Sequence, residues 1–459
     1  MNLANLQRRD FLKLVLAGGS QLLFPISGFS YANAATSEPH FFIQMILLGG
    51  LDINYLFDAR PLSMTQANLI QNYLNEEPTP WQGSNGVSTL ASSLTQPLKT
   101  FQNDFTLLNG VFMAPSFDGH EQNLNYLLTG NPFGGDGFIP HLNQNSQSRP
   151  IDGIQAGRLY SSPTNSANIV PMDYASLVGV VAKLQSGQII NQQQPIWRHI
   201  TERFLNSSEG TNGGRFTQSS QLLGRSLGIS ADLEKTLKQL KLNEETNKDP
   251  HSFFHLAGAL FKSHVSRSAI YIPEFKIQMD CHDAPSAKKH PALVKEVVSQ
   301  IISMIQYLKS TPYDATRSLY DVTTFMVTSE FARTLRQPNT AIDNTGTDHN
   351  NLTNTVLMGG KGIRTGQVIG ASDFQTKDWE ISKAHLQLDS SKLKIMAQPF
   401  DFTTSKVRTD LPEFFDMKDY VSINSVVNSV YQLFGVSKTK YRTNDRSGAS
   451  SPVLSALLK

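Results

Sequence analysis

Cysteine is nearly missing from this chain: Cys281 is the single one among 459 residues. An internal disulfide is therefore excluded, and with it the class of small scaffolds held by cross-links. Net charge is almost absent too. Forty Lys and Arg stand against 38 Asp and Glu, a formal +2. Such a balance argues against nucleic acid or an anionic surface as the main partner. Beyond the N-terminus no stretch approaches the roughly 20 apolar residues that a membrane span needs, so no transmembrane anchor is expected. What the chain does have is length and a 39% hydrophobic composition, enough to bury a large core. No internal repeat is visible.

The N-terminus reads differently from the rest. Paired Arg8 and Arg9 precede Phe11, Leu12 and a moderately apolar run, and Ala32-Asn33-Ala34 offers a small-x-small cleavage site. These features predict a twin-arginine signal peptide over 1–34, lacking only the usual Ser or Thr before the arginines. The twin-arginine translocase is then a partner during export, and the destination is the periplasm or the cell exterior. Arg8, Arg9 and Lys13 against Asp10 carry the chain's whole net charge, so the mature protein is near neutral. No cysteine follows the apolar run, so lipid anchoring there is not expected.

Five apolar runs have the texture of buried strands: Phe41–Leu48, Phe105–Phe112, part of Ala269–Met279, Thr323–Thr328 and Thr353–Met358. Between the third and fourth, Leu293, Val294, Val297, Val298, Ile301, Ile302, Ile305 and Leu308 recur at helical spacing. Pro291 falls near the start of that pattern, where a first turn tolerates it. Val421–Val436 reads as a last amphipathic helix. Strands alternating with helices predict an α/β fold with a central, mostly parallel sheet. The polar stretch at about 143–266, with helical pieces such as SADLEKTLKQLKL, reads as a helical insertion in a single domain over 35–459. Residues 373–418 are mixed in character.

Ligands of open α/β sheets lie beyond the carboxyl ends of the strands. Asp52 and Asp58 follow the first predicted strand. Asp118 and His120 follow the second, Asp280, His282 and Asp283 the third, and Glu330 and Arg333 the fourth. Asp348 and His349 immediately precede the fifth. Acidic and imidazole groups from five separate places thus converge on one edge, and mixed carboxylate and imidazole donors suit Zn²⁺ or Mn²⁺ better than Ca²⁺. Two other patterns are set aside. His251 and His255 have i, i+4 spacing without the glutamate of a zinc-protease helix, and Gly359–Gly362 lacks the phosphate-loop pattern.

The set GGLD…FDARP, GHEQNLNYLLTG, MDCHD, VTSEFART and GTDHNNLTNTVLMGGKGI…GQVIGASD resembles the domain-of-unknown-function fifteen-oh-one family. That is an exported, sulfatase-like branch of the alkaline phosphatase superfamily. The likeness runs from Gly49 to Asp373, with Met-Asp-Cys-His standing for the usual Trp-Asp-Thr-His and Ala332 for Gly. It implies an alkaline phosphatase/sulfatase-like three-layer sandwich with metal ligands at the carboxyl edge of the sheet. Asp52, Asp280, His282, Glu330 and His349 are the metal ligands it implies, for one or two ions. Zinc is the expected ion, with manganese or calcium as alternatives. Arg333 is expected either to hold an anionic oxygen or to pair with a nearby carboxylate. Cys281, lodged between two of these ligands, reads as a structural thiol.

Sulfatases place their nucleophile ten positions before the glycine of Leu-Thr-Gly. Here that glycine is Gly130, and the position falls on His120. No Ser, Thr or Cys occurs from Gly119 to Leu128. Standard sulfatase chemistry is thereby disfavoured, and a helix N-terminus, which disfavours imidazolium, suits His120 to a metal ligand or general base. The expected function is an exported metal-dependent hydrolase of phosphate or sulfate esters with an atypical site. The alternative is a non-catalytic binding or structural protein of the cell envelope that keeps the fold.

Overall fold

A computed structural model describes residues 38–66, 70, 72–114, 119–142, 153–157, 169–171, 250–262, 266–275, 279–335, 346–374, 395–413, 415–436 and 451–459. The predicted signal peptide, nearly all of the predicted insertion, Asp118 and most of 373–394 lie outside the described residues. Eight strands form the main sheet: β1 (Phe41–Ile46), β2 (Phe105–Leu108), β3 (Gly153–Ala156), β4 (Ile169–Pro171), β5 (Ser268–Tyr271), β6 (Thr323–Thr328), β7 (Val356–Gly360) and β8 (Val368–Ile369). Their order is β8-β2-β7-β6-β1-β5-β3-β4. Every pairing is parallel except those of β7, which runs antiparallel to both β2 and β6. The mostly parallel sheet expected from the sequence is therefore present. No helix among the described residues is long and apolar enough to cross a membrane.

Four helices complete the layers: α1 (His120–Thr129), α2 (Pro250–Lys262), α3 (Ala284–Ser310) and α4 (Ile423–Leu433). Side chains of β1 alternate between the two faces of the sheet, as the pleat requires. Phe41, Ile43 and Met45 join one apolar cluster with Phe253 and Phe254 of α2 and with Leu293, Val297 and Ile301 of α3. Phe42 and Ile46 join another with Leu124 and Leu127 of α1 and with Val426 and Val430 of α4. Helices thus cover both faces. The central strands β1 and β6 are buried on both sides, which is why they read as continuous apolar runs. The C-terminal residues belong to the second cluster. Leu454, Leu457 and Leu458 are buried there, and Lys459 donates its backbone N–H to Gly362.

Several expected boundaries move for local reasons. β1 stops at Ile46 because Gly49 and Gly50 take φ of 112° and 77°, turning the chain. α3 begins at Ala284, well before the predicted start, because the Asp283 carboxylate caps it by accepting the Ser286 N–H at 2.7 Å. Pro291 consequently lies inside the helix. After β2 the chain reverses at Gly110, φ 63°.

Gly110 also approaches the backbone after β8 so closely that a Cβ there would fall 1.8 Å from the Ala371 carbonyl oxygen. Gly110→Ala is expected to lower stability on the order of 2–4 kcal/mol, adding backbone strain to an unrelieved clash. A urea titration reads this as a lower midpoint at unchanged slope.

Candidate metal centre

The carboxyl edge of β1, β5 and β6 is where the titratable groups meet, and the direction of β7 decides which residues reach it. Because β7 runs opposite to its neighbours, the residues entering it stand at that same edge. His349 lies there, held in a short antiparallel pair in which it registers with Arg333. Two buried amides hold this loop: Asn351 donates to Ala114 O and Asn354 to Ser329 O. α1 presents His120 from its first turn, with Gly119 as N-cap and the left-handed Gly130 (φ 74°) closing the other end.

Among the described residues, His120, Asp280, His282 and His349 each offer a donor atom within 4.8 Å of the others. The Nε2 atoms of His282 and His349 are 3.0 Å apart, and His282 Nε2 is 3.1 Å from Asp280 Oδ1. His120 Nε2 lies 3.5 Å from Asp280 Oδ2. The His349 ring sits edge-on to both other imidazoles, with centroids 4.6 and 4.7 Å away. Two Zn–N bonds of about 2.0–2.1 Å at a tetrahedral angle put the nitrogens about 3.3–3.4 Å apart, close to these separations. Three imidazoles and one carboxylate suit a first-row metal and fall short of the oxygen-rich shell of calcium. The residues present fit the expected ion.

Behind this group lies a second layer. Glu330 is fully buried and does not join the four. Its Oε1 accepts from His120 Nδ1 at 2.7 Å and from the Gly49 N–H at 2.7 Å. The Nδ1 proton is thereby assigned, and Nε2 is turned toward the cluster. Asp348 Oδ1 lies 3.6 Å from His282 Nδ1 and accepts the His349 N–H at 2.8 Å. Arg333 is fully buried and donates through Nη2 to Asp280 Oδ1 at 2.5 Å and also to Gly49 O; Nε donates to Gly49 O at 3.0 Å. Of the two readings open for it, the carboxylate pairing is the one present. Asp52 also lies outside the four. It is buried, its Oδ1 accepts the Asn54 N–H at 3.0 Å, and its own N–H donates to His290 Nε2 at 3.3 Å. Asp58, at the same edge, is taken up by Arg60 and Ser372.

Burial disfavours charge on His120, yet hydrogen bonds to Asp280 and Glu330 outweigh it and raise the pKa to about 9. The helix terminus does not keep this imidazole neutral, as the sequence suggested: two carboxylates dominate it. Burial also opposes ionisation of Asp280, but His120 and Arg333 hold its pKa well below the ordinary carboxylate range. Asp52 goes the other way, raised to about 7 by burial against weaker help from Asn54 and Arg333. Cys281 turns inward, with Sγ 2.9 Å from Thr347 Oγ1, and burial lifts its pKa to about 11. That is a packing thiol, not an activated one.

Two residues at the site were not singled out in the sequence. Phe331, fully buried, stands 4.9 Å from the His120 ring and 4.4 Å from the His349 ring, forming an apolar wall under both. It occupies the place a side chain on Gly50 would need, 2.3 Å from a Cβ there. Its position between Glu330 and Arg333 was the available signal. His290 falls on the apolar stripe of α3, three residues before Leu293, so its pattern was that of a core residue.

None of the curated proteins matches this sequence. Three solved structures are similar at low identity. The lipoteichoic acid synthase LtaP from Listeria monocytogenes is 9% identical, covering 78% of this chain and 74% of its own, with a TM-score of 0.32. The PsFucS1 sulfatase from Pseudoalteromonas sp. is 9% identical over 97% and 77%, with a TM-score of 0.34. Ps i-CgsB, solved with k-i-k-neocarrahexaose, is 10% identical over 91% and 75%, with a TM-score of 0.35. Asp280, His282, Glu330, Arg333 and His349 all come from residues 276–387, the stretch that matches the family of proteins of unknown function DUF1501.

Proposed function

We propose that the chain is an exported metal-dependent hydrolase of phosphate or sulfate esters. One observation carries this reading: four metal-type donors from three distant parts of the sequence converge at the carboxyl edge of an α/β sheet. A divalent ion, zinc by the donor set, would supply Lewis-acid stabilisation of charge developing on an ester oxygen. The chain's own residues do the rest. Glu330 holds the Nδ1 proton of His120, so that Nε2 faces the reacting region. Arg333 keeps Asp280 ionised and fixed. The side chains of Asp280 and His282 are 43% and 41% exposed, which leaves the cluster open on one side for a substrate. The absence of Ser, Thr and Cys between Gly119 and Leu128 leaves water as the attacking group.

A second reading has its own observation. Four protein donors can close a tetrahedral shell, as structural zinc sites do. The chain would then be a binding or structural protein of the cell envelope. Ester hydrolysis separates the two. With zinc loaded, turnover of a phosphate or sulfate monoester is expected, and Asp280→Ala is expected to reduce it at least 100-fold while the fold persists. Stoichiometric zinc with no turnover across a broad panel of such esters favours the structural reading. No zinc under any loading condition sinks both.

The second layer makes its own prediction. Glu330→Gln keeps the size of the side chain and weakens its hold on the Nδ1 proton. Ion affinity is expected to drop about 10–100-fold, read by competition with a chromogenic chelator.

The pH dependence has a definite sign. The folded-state value for His120, about 9, lies above the ordinary 6.5. Its pairing therefore stabilises the metal-free fold fully below pH 6.5, and that contribution is lost as pH rises through about 9. A metal must displace this proton, so ion affinity should strengthen with rising pH until about 9. Zinc titrations across pH 6–9 that show flat affinity would overturn the assignment of His120 as a ligand.

A further inference from the structure

Beneath the four donors, the buried layer has hydrogen-bond donors left over. Arg333 commits Nε and Nη2 to Gly49 O and Asp280 Oδ1, while Nη1 is buried with no partner among the described residues. His290 is 1% exposed, and its Nε2 accepts the Asp52 N–H at 3.3 Å. Burial keeps this ring neutral. A neutral imidazole whose Nε2 accepts carries its proton on Nδ1, and that N–H is buried and unmet as well. Asn54 repeats the pattern: Oδ1 accepts the Arg60 N–H at 2.8 Å, and Nδ2 has no partner among the described residues. These groups share one neighbourhood. Asp52 gives its N–H to His290 and accepts the Asn54 N–H, and Arg333 acts electrostatically on both Asp52 and His290. Buried donors left unmet are costly, and native interiors meet them with protein groups or with ordered water.

We propose that this layer is a binding site for an internal water, held by Arg333 Nη1 and His290 Nδ1 with Asn54 at its margin. The partners favour water over a small anion. A water accepts from N–H groups and also donates its own protons, so it serves a layer that holds both donors and carboxylate oxygens. Asp52 is buried in that layer. Glu330, bonded to the same Gly49 as Arg333, has its Oε2 buried and without a partner among the described residues. An anion would face these carboxylates with no proton to give them. The inference goes beyond the metal reading and does not need it, since every group it names is in place in the metal-free protein. The water joins α3, through His290, to the guanidinium that holds Asp280.

The test is a crystal structure of the metal-free full chain, at a resolution that shows ordered solvent, with a bromide-soaked crystal beside it. A single water peak within hydrogen-bond distance of both His290 Nδ1 and Arg333 Nη1 is expected, with no anomalous bromide signal at that place. Bromide at the peak would overturn the inference in favour of an anion. So would a map in which the two nitrogens bond to protein atoms, or one without solvent density between them. Two variants then examine His290. His290→Asn sets an amide N–H near the place of Nδ1 and should keep the water. His290→Leu removes the donor and should lose it; full occupancy in that variant would remove His290 from the role assigned here. Each variant is accepted only with a native circular dichroism spectrum, and if neither folds the wild-type map decides alone. Ion binding enters none of these outcomes, so the metal reading stands or falls separately.

Discussion

A guanidinium buried without exposure has to be paired, because an isolated charge in the interior is prohibitively expensive. Arg333 meets this requirement with the Gly49 carbonyl and the Asp280 carboxylate, and so joins the turn after β1 to the segment before α3. The rest of the centre follows from that junction. Gly49, fixed on its carbonyl side by Arg333, directs its N–H onto Glu330. Glu330 then fixes the tautomer of His120. Asp280, fixed by the same fork, presents its carboxylate to His120 and His282. The two glycines of the turn allow this closeness. A Cβ on Gly49 would meet Met279 Cβ at 2.5 Å, and one on Gly50 would meet the Phe331 ring.

The electrostatics of the centre are internally consistent and depend on burial. Asp280 remains ionised because cations face it, whereas Asp52, buried deeper and with weaker help, is raised to about 7. Two aspartates that both feel Arg333 thus have opposite tendencies, set by environment and not by residue type. His120 and His290 make the matching pair on the imidazole side. The first is raised by its carboxylates, and the second is lowered to about 3 by burial and by Arg333. Charged forms are thereby favoured in the layer that faces the cluster and neutral forms in the layer beneath it.

Much of this was legible in the sequence, and the illegible part has a physical reason. Continuous apolar runs marked Phe41–Ile46 and Thr323–Thr328 because both faces of those strands are covered by helices. Position after a strand marked Asp280, His282, Glu330 and Arg333 for one edge, since connectivity alone carries that information. It could not separate donors from their supports. Glu330 and Asp280 look alike in sequence, yet one stands behind His120 and the other in the cluster, because the turn at Gly49 and Gly50 determines who faces whom. His290 was hidden for a related reason. On an apolar helical stripe a histidine looks like packing, and its bond to the Asp52 N–H arises only when α3 docks against the turn.

The reversed direction of β7 has a consequence for how the protein is made. Bringing His120 beside His349 requires β7 to pair not only with the nearby β6 but also with β2, a pairing that spans more than 200 residues of chain. Pairings of such sequence separation are entropically slow to form. The donors therefore assemble late, after synthesis has passed the last strands of the sheet. If the centre takes an ion as proposed, its acquisition would be a checkpoint on completed folding: a partly folded chain has the ligand residues but no coordination geometry to offer.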